Sequence, residues 1–453
     1  MKRNYFVSAL LMLTIGMSLG SCSSDDNDNS SSILQGTANS NQTAVSKGAW
    51  DFYAVSEGDT IYLKKDAKNA GECYVVAKQY DLKNPETGEI VTTYTIDEYY
   101  DLFNEYYKLY SERYSDFFDD DPPYNFYSGD ITIPENVTVN GTTYTVTGIG
   151  DFAFYNTEIT SLKMSSKIRY ISDSAIGGCS KLTKVELSED LREIGEWAFV
   201  DDDLLTEITF PSKVTTIGNH AFTYCDGLQK INIPSSVTQI DEGAFGGCSK
   251  LTSIDVDSNN KYYQFKDGML LNKGGNILHT YLCTNKASSF SIPEYIDSLG
   301  VEALFGCNNL KSVTVNSNIT RLTVAAFCRC ENLEQVNLPK TIKYIEQAAF
   351  ESCKSLKDIV LPESVEYIGD NAFDETALEE INIPAGVKYI GYGAFDECTN
   401  LKTVKSYITK PFAIDDDTFF DYDTPTLYVP SGTKEKYEVT AGWKNFKNIV
   451  EMD

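Results

Sequence analysis

A unit of 23 residues recurs through most of this chain and constrains its fold more than any other feature. Ala221-Phe222 marks its phase. The same alanine–aromatic step returns at Ala198-Phe199 and Ala244-Phe245, and again at Ala326-Phe327, Ala349-Phe350 and Ala372-Phe373. Altered copies sit at Ala153-Phe154, Ala175-Ile176, Ala303-Leu304 and Ala394-Phe395. A segment this short cannot bury its own apolar face. It must stack on its neighbours, so the chain reads as a solenoid and not as a compact globule.

Each copy fills the same slots. Leu228, Ile231 and Ile233 alternate with polar residues, as a half-buried strand requires. Pro234 follows, where it ends the strand without removing an internal ladder bond. Val237 and Ile240 turn inward, and Ala244, Phe245 and Cys248 close the coil. The strand slot repeats at Leu205-Ile208-Phe210, Leu333-Val336-Leu338, Leu356-Ile359-Leu361 and Leu378-Ile381-Ile383. Glycine follows the second apolar pair at Gly195, Gly218, Gly369 and Gly391, a corner that resists a larger side chain. The L-x-x-I-x-I-P strand, the V-x-x-I-G corner and the A-F-x-x-C close resemble the BspA-like leucine-rich repeat family over about residues 131–430. The resemblance implies a leucine-rich repeat solenoid of short parallel strands and turns with little helix.

Within that frame residues 131–405 form the repeat array. Phase is interrupted at 257–290, where Tyr262 to Phe265, Asp267-Gly268 and Met269 to Leu271 predict a hairpin. Gly274-Gly275 permits a further turn before Ile277 to Tyr281, so a protruding β-meander is expected there. It is a contact loop or a harmless insertion. Residues 49–130 read as an N-terminal cap: aromatic residues from Tyr99 to Phe117 recur at helical spacing, and Thr95 with Glu98 makes a capping box, predicting a helix from Asp97 to Phe118. Residues 406–453 read as the C-terminal cap, with Trp443 and Phe446 sealing the last coil.

The first 21 residues are a processing signal: Lys2 and Arg3, then a mostly apolar Phe6 to Leu19 too short to span a bilayer comfortably. Leu19-Gly20-Ser21-Cys22 resembles the lipobox of bacterial lipoproteins, which implies cleavage before Cys22 and its lipidation. Residues 22–48, acidic and serine-rich at their start, read as a flexible tether. The acidic run after Cys22 looks like the surface-export signal of some Gram-negative lipoproteins, so an outer-membrane, surface-exposed location is expected.

A formal net charge of −28 argues against nucleic acid and against adsorption to anionic lipid. Cys179, Cys225, Cys248, Cys307, Cys330, Cys353 and Cys398 share one slot, which Thr157, Asp202 and Thr376 fill elsewhere. That exchange predicts a buried turn position and a column of reduced thiols, with disulfides between adjacent coils the alternative wherever Cβ geometry permits them. Cys73 and Cys283 have no evident partner. His220 occupies a slot that takes many residue types, and His279 lies in the insertion. The acid runs Asp119–Asp121, Asp201–Asp203 and Asp415–Asp417 lack calcium-loop spacing and read as solvated loops. No nucleophile elbow, zinc motif or phosphate loop is present, so no metal, cofactor or catalytic residue is assigned and the chain is not expected to be an enzyme.

The strongest surface feature is periodic. Tyr344, Tyr367 and Tyr389 occupy one outward slot of successive coils, with Tyr170 a distant copy and Lys343 and Lys388 beside them. Equal slots align on a solenoid, so these tyrosines predict a column that either contacts a partner or only stiffens the array. BspA-like proteins are associated with adhesion, which implies an extracellular host or microbial protein as partner. The alternative is a glycan-binding module of an uptake system, its tyrosines stacking on sugar rings.

Overall fold

The computed structural model describes residues 59–76, 127–139 and 141–452, together with strands at Gln35–Ala38, Gln42–Val45, Phe52–Ser56, Tyr80–Lys83 and Ile90–Tyr94. The expected signal peptide, Cys22 and the helix expected at 97–118 lie outside the described residues. No helix among the described residues is long and apolar enough to cross a membrane.

The chain winds as a solenoid whose coils carry two short parallel strands each. The first strand of each coil, such as Lys230–Ile233, pairs in register with its equivalents, Ile231 with Ile254 and Ile381 with Val404. The second is only two residues long, as at Thr216–Ile217, and joins a separate sheet. In both, one side chain points inward and its neighbour outward, which is why the alternation was readable. The third side of the coil is the Ala-Phe turn. Its phenylalanines are fully or almost fully buried and stack through the array: Phe327, Phe350, Phe373, Phe395 and Phe419 follow one another at centroid distances of 5.3, 5.4, 5.4 and 5.0 Å.

Each turn depends on two residues with positive φ. One precedes the alanine, as at Trp197, His220, Ala325 and Asn371; the other precedes the cysteine slot, as at Asp201, Tyr224, Arg329 and Glu375. The slot of His220 is therefore more restricted than its varied occupants imply, because every copy must hold the left-handed backbone conformation. The corner glycines act differently. At Gly218 a Cβ would lie 2.7 Å from the backbone carbon of Gly195, so the absence of a side chain lets adjacent coils close together.

The insertion does form an antiparallel meander, Tyr263–Lys266, Met269–Asn272 and Ile277–Tyr281. It does not protrude as expected. Ile277–Tyr281 pairs in parallel with Ser298–Leu299 and so takes the place of a coil's second strand. Tyr263 accepts a hydrogen bond from the Ile240 amide at 2.7 Å on the other side. The middle strand is a wall between two core clusters: Leu270 packs into the first, Met269 and Leu271 into the second. Alternating side chains on one strand serve both halves.

Strands at both ends extend the sheets. Glu72–Val75 adds in parallel to Thr142–Ile149, Asp59–Lys65 adds antiparallel to Glu72–Val75, and Phe52–Ser56 follows. Gln35–Ala38 and Gln42–Val45 also pair, the first with Asn136–Val139, so strands begin within the stretch read as tether. At the other end Asn448–Glu451 pairs with Thr426–Val429, and Trp443 and Phe446 are buried against Phe419, as expected of a seal.

Candidate binding face

Parallel strands lie roughly 4.8 Å apart, close to the distance at which aromatic rings stack. Identical outward tyrosines on successive coils are therefore driven into contact. Tyr344–Ile345, Tyr367–Ile368 and Tyr389–Ile390 pair residue for residue, with the isoleucines buried and the tyrosines outward. Tyr344 and Tyr367 meet at 6.4 Å, tilted by 48°. Tyr367 and Tyr389 stack at 4.7 Å and 9°. Arg321, in the same slot one coil earlier, covers the far side of Tyr344 with its guanidinium carbon 4.3 Å from the ring centroid. The predicted column exists and is longer by one arginine. Tyr170 holds the slot near the other end, lying over Gly148, where a Cβ would overlap its ring.

Lys343 and Lys388, beside the column, do not make a basic patch. Glu366 is the residue stacked between Lys343 and Lys388, and it pairs with Lys388. That ammonium holds the Glu366 carboxyl below its usual range. The slot order Lys-Glu-Lys was visible in the sequence and indicates alternation, not a basic patch. At the C-terminal end of the ladder Tyr389 donates its hydroxyl to Asp370 Oδ1 at 3.1 Å. Burial, then the Asp370 charge, raises its phenol to about 12.

The cysteine slot is a hydrogen-bonding position. Cys225, Cys353 and Cys398 donate their thiols to the carbonyls of Phe199, Phe327 and Phe373 in the preceding coil, at 3.0, 3.2 and 3.1 Å. Thr376 donates to Phe373 in its own coil. Cys and Thr exchange here because each is small and carries one donor. Burial pushes these thiols up, to about 12 at Cys330 and Cys398, the opposite of an activated nucleophile. Cys307 is the exception, and Cys283 is not without a partner: the two form a disulfide between the meander exit and the next coil. The insertion brings Cys283 to Cys307, a proximity that repeat spacing alone does not show.

Asp202 fills the same slot and is fully buried, so the run Asp201–Asp203 is not wholly solvated. Its Oδ1 accepts the Cys179 amide at 2.8 Å, while Oδ2 has no partner. Burial holds its carboxyl well above the carboxylate range. The unfolded chain therefore releases a proton as pH rises through the ordinary range near 4, while the folded chain retains it, and stability falls toward neutral pH. We expect Asp202→Asn to raise stability at pH 7 by about 1–3 kcal/mol and to leave it nearly unchanged below pH 4, read from urea midpoints at the two pH values.

Both histidines are packed. His220 stacks on Trp197 at 4.1 Å, and His279 meets Tyr263 edge to face, with burial lowering the His279 pKa. Sequence reasoning missed the partner of His220. Glu302, 2% exposed, brings Oε2 to 3.5 Å from His220 Nδ1. Gly243 and Gly246 make room for it, since a Cβ on Gly246 would overlap the carboxylate. The cluster of glycines in that one coil was the available signal. Among the described residues no group of three or more His, Cys, Asp or Glu side chains is arranged to hold a metal ion.

A model of the BspA type leucine rich repeat region matches residues 147–267 and 277–402 in six copies, more than half of the 453 residues. Solved structures of similar fold include the pneumococcal vaccine antigen PcpA, with TM-score 0.57, 19% identity, and 88% of this chain and 98% of that one covered. A leucine rich cell surface protein from Faecalibacterium prausnitzii gives 0.47, 22% identity, and 80% and 94% coverage. A leucine-rich repeat protein from Bacteroides ovatus gives 0.31, 27% identity, and 72% and 95%. No curated protein matches this chain significantly. The matched copies carry the tyrosine ladder and the buried phenylalanine stack as far as Phe395, and the chain belongs to the BspA-type leucine-rich repeat family.

Proposed function

We propose that this protein is a surface-exposed outer-membrane lipoprotein, anchored through Cys22, that binds extracellular host or microbial proteins in adhesion, and that it is not an enzyme. The observation that carries the binding role is the ladder Arg321-Tyr344-Tyr367-Tyr389, an outward aromatic column held in register by a rigid sheet. Pre-ordered tyrosines contribute contact area at little further entropic cost. The glycan alternative is less well served, because sugar rings stack on open aromatic faces and the ladder leaves one, at Tyr389. Tyr367 has Tyr344 on one side and Tyr389 on the other.

Capture of purified extracellular matrix proteins by the full chain tests this reading, with Tyr344, Tyr367 and Tyr389 changed to Ser in a parallel sample. The expected result is capture by the parent and at least a tenfold loss in the variant, the loss of more than about 1.4 kcal/mol. Equal capture by both rejects the ladder as the contact. Cys22→Ala is expected to move the protein from the membrane to the soluble fraction; unchanged fractionation rejects the lipid anchor.

A further inference from the structure

The two ends of the tyrosine ladder differ. At the N-terminal end the face of Tyr344 is closed by the Arg321 guanidinium. At the C-terminal end Tyr389 has Tyr367 on one face, and among the described residues no ring or cation stacks on the other. The next coil explains why. The Phe395 amide bonds to the Thr418 carbonyl, as the Phe373 amide bonds to that of Ala394, so residue 418 lies over 394 and Ala413 falls at the slot of Tyr389. Ile414 is buried as Ile390 is, which keeps the register. Ala413 is too small to cover a phenol ring. Tyr389 remains 42% exposed and its neighbour Tyr392 54%.

Carboxylates lie beside this ring in the coils before and after it. Asp370 Oδ1 accepts both the Tyr389 hydroxyl and the Tyr392 amide, at 3.1 and 3.0 Å. Asp415 and Asp417 follow Ala413 in the next coil, on the side of the open face, and their charges help to raise these phenols. Asp370, Asp415 and Asp417 form no ion pair with any described residue. An open aromatic face with unpaired carboxylates beside it attracts a cation through both at once.

We propose that the Tyr389 end of the ladder takes a guanidinium side chain from a basic peptide segment of the partner. The molecule already holds the same contact at its other end, where Arg321 covers Tyr344. An arginine from outside would continue the column by one step, its plane on Tyr389 and its edges toward Asp370 and Asp415. Arginine suits the place better than lysine, since its planar group stacks and still donates to carboxylates. The inference rests on reading the ladder as a contact surface and names the chemistry that surface recognises.

The test is calorimetric titration of the full chain with an acetylated, amidated (Gly-Arg)4 peptide and with its citrulline counterpart, which keeps the shape and loses the charge. The parent and Tyr389→Phe are expected to bind the arginine peptide alike and to prefer it over citrulline. Tyr389→Leu is expected to bind it about 2- to 5-fold more weakly, the range of an exposed cation–π contact. Asp415→Asn with Asp417→Asn, both exposed, is expected to reduce the arginine preference without altering the fold. Equal affinity of Tyr389→Leu and parent overturns the proposal, as does equal affinity for the two peptides. A chain that captures matrix proteins through the ladder yet shows no preference for arginine keeps the binding reading and loses only this one.

Discussion

Phe350→Ala is expected to destabilise the protein by about 3–5 kcal/mol, the range for removing a buried aromatic ring. Phe350 is fully buried with Phe327 at 5.3 Å on one side and Phe373 at 5.4 Å on the other. Its removal breaks two stacking contacts and leaves a void that neighbouring coils, tied by backbone hydrogen bonds, cannot close. A solenoid is stabilised by nearest-neighbour interfaces, so the loss is expected first in the coils from Phe327 to Phe395, seen as faster amide exchange there. Val360→Ala is the control. That side chain is 82% exposed and its truncation is expected to change stability by less than about 0.5 kcal/mol. Equal effects of the two substitutions would contradict a stacked interior.

Replacing Cys283 and Cys307 together by Ser is expected to cost about 3.5 kcal/mol, the value for closing a loop of this size. The two lie 24 residues apart. The bond ties the exit of the meander to the coil that follows it, where the two core clusters meet. Loss is therefore expected to appear as early exchange in residues 263–307, before the array at either side opens. The same shift is expected on reduction of the parent and not on reduction of the double variant. Reduction that leaves the parent's unfolding midpoint unchanged would show the bridge to be absent.

The repeats were legible because a solenoid is periodic. Residues one unit apart in sequence are neighbours in space, so Tyr344, Tyr367 and Tyr389 could be placed in contact from numbers alone, and Phe222, Phe245 and Phe350 assigned to the interior. The same rule would have placed Glu366 between Lys343 and Lys388, and the alternating charge was readable. The positive φ of the His220 slot was hidden for a different reason. Asn, Gly and Ser signal it in some copies, but Trp197, His220 and Glu302 hold the same conformation because the coils on either side impose it.

The chain's own amino acids determined the stacked coils, the inward and outward sides of each strand, the tyrosine column and the aromatic seal at Trp443 and Phe446. These depend on alternation and on a constant period, both properties of neighbouring residues. Only the tertiary structure decided that the meander is an internal wall, that Cys283 meets Cys307, that Glu302 reaches His220, and that the ladder ends on an uncovered ring. Each of these arises where the period is broken, at the insertion or at the last coil. There, separation along the chain no longer states which groups touch, and packing chooses the partners.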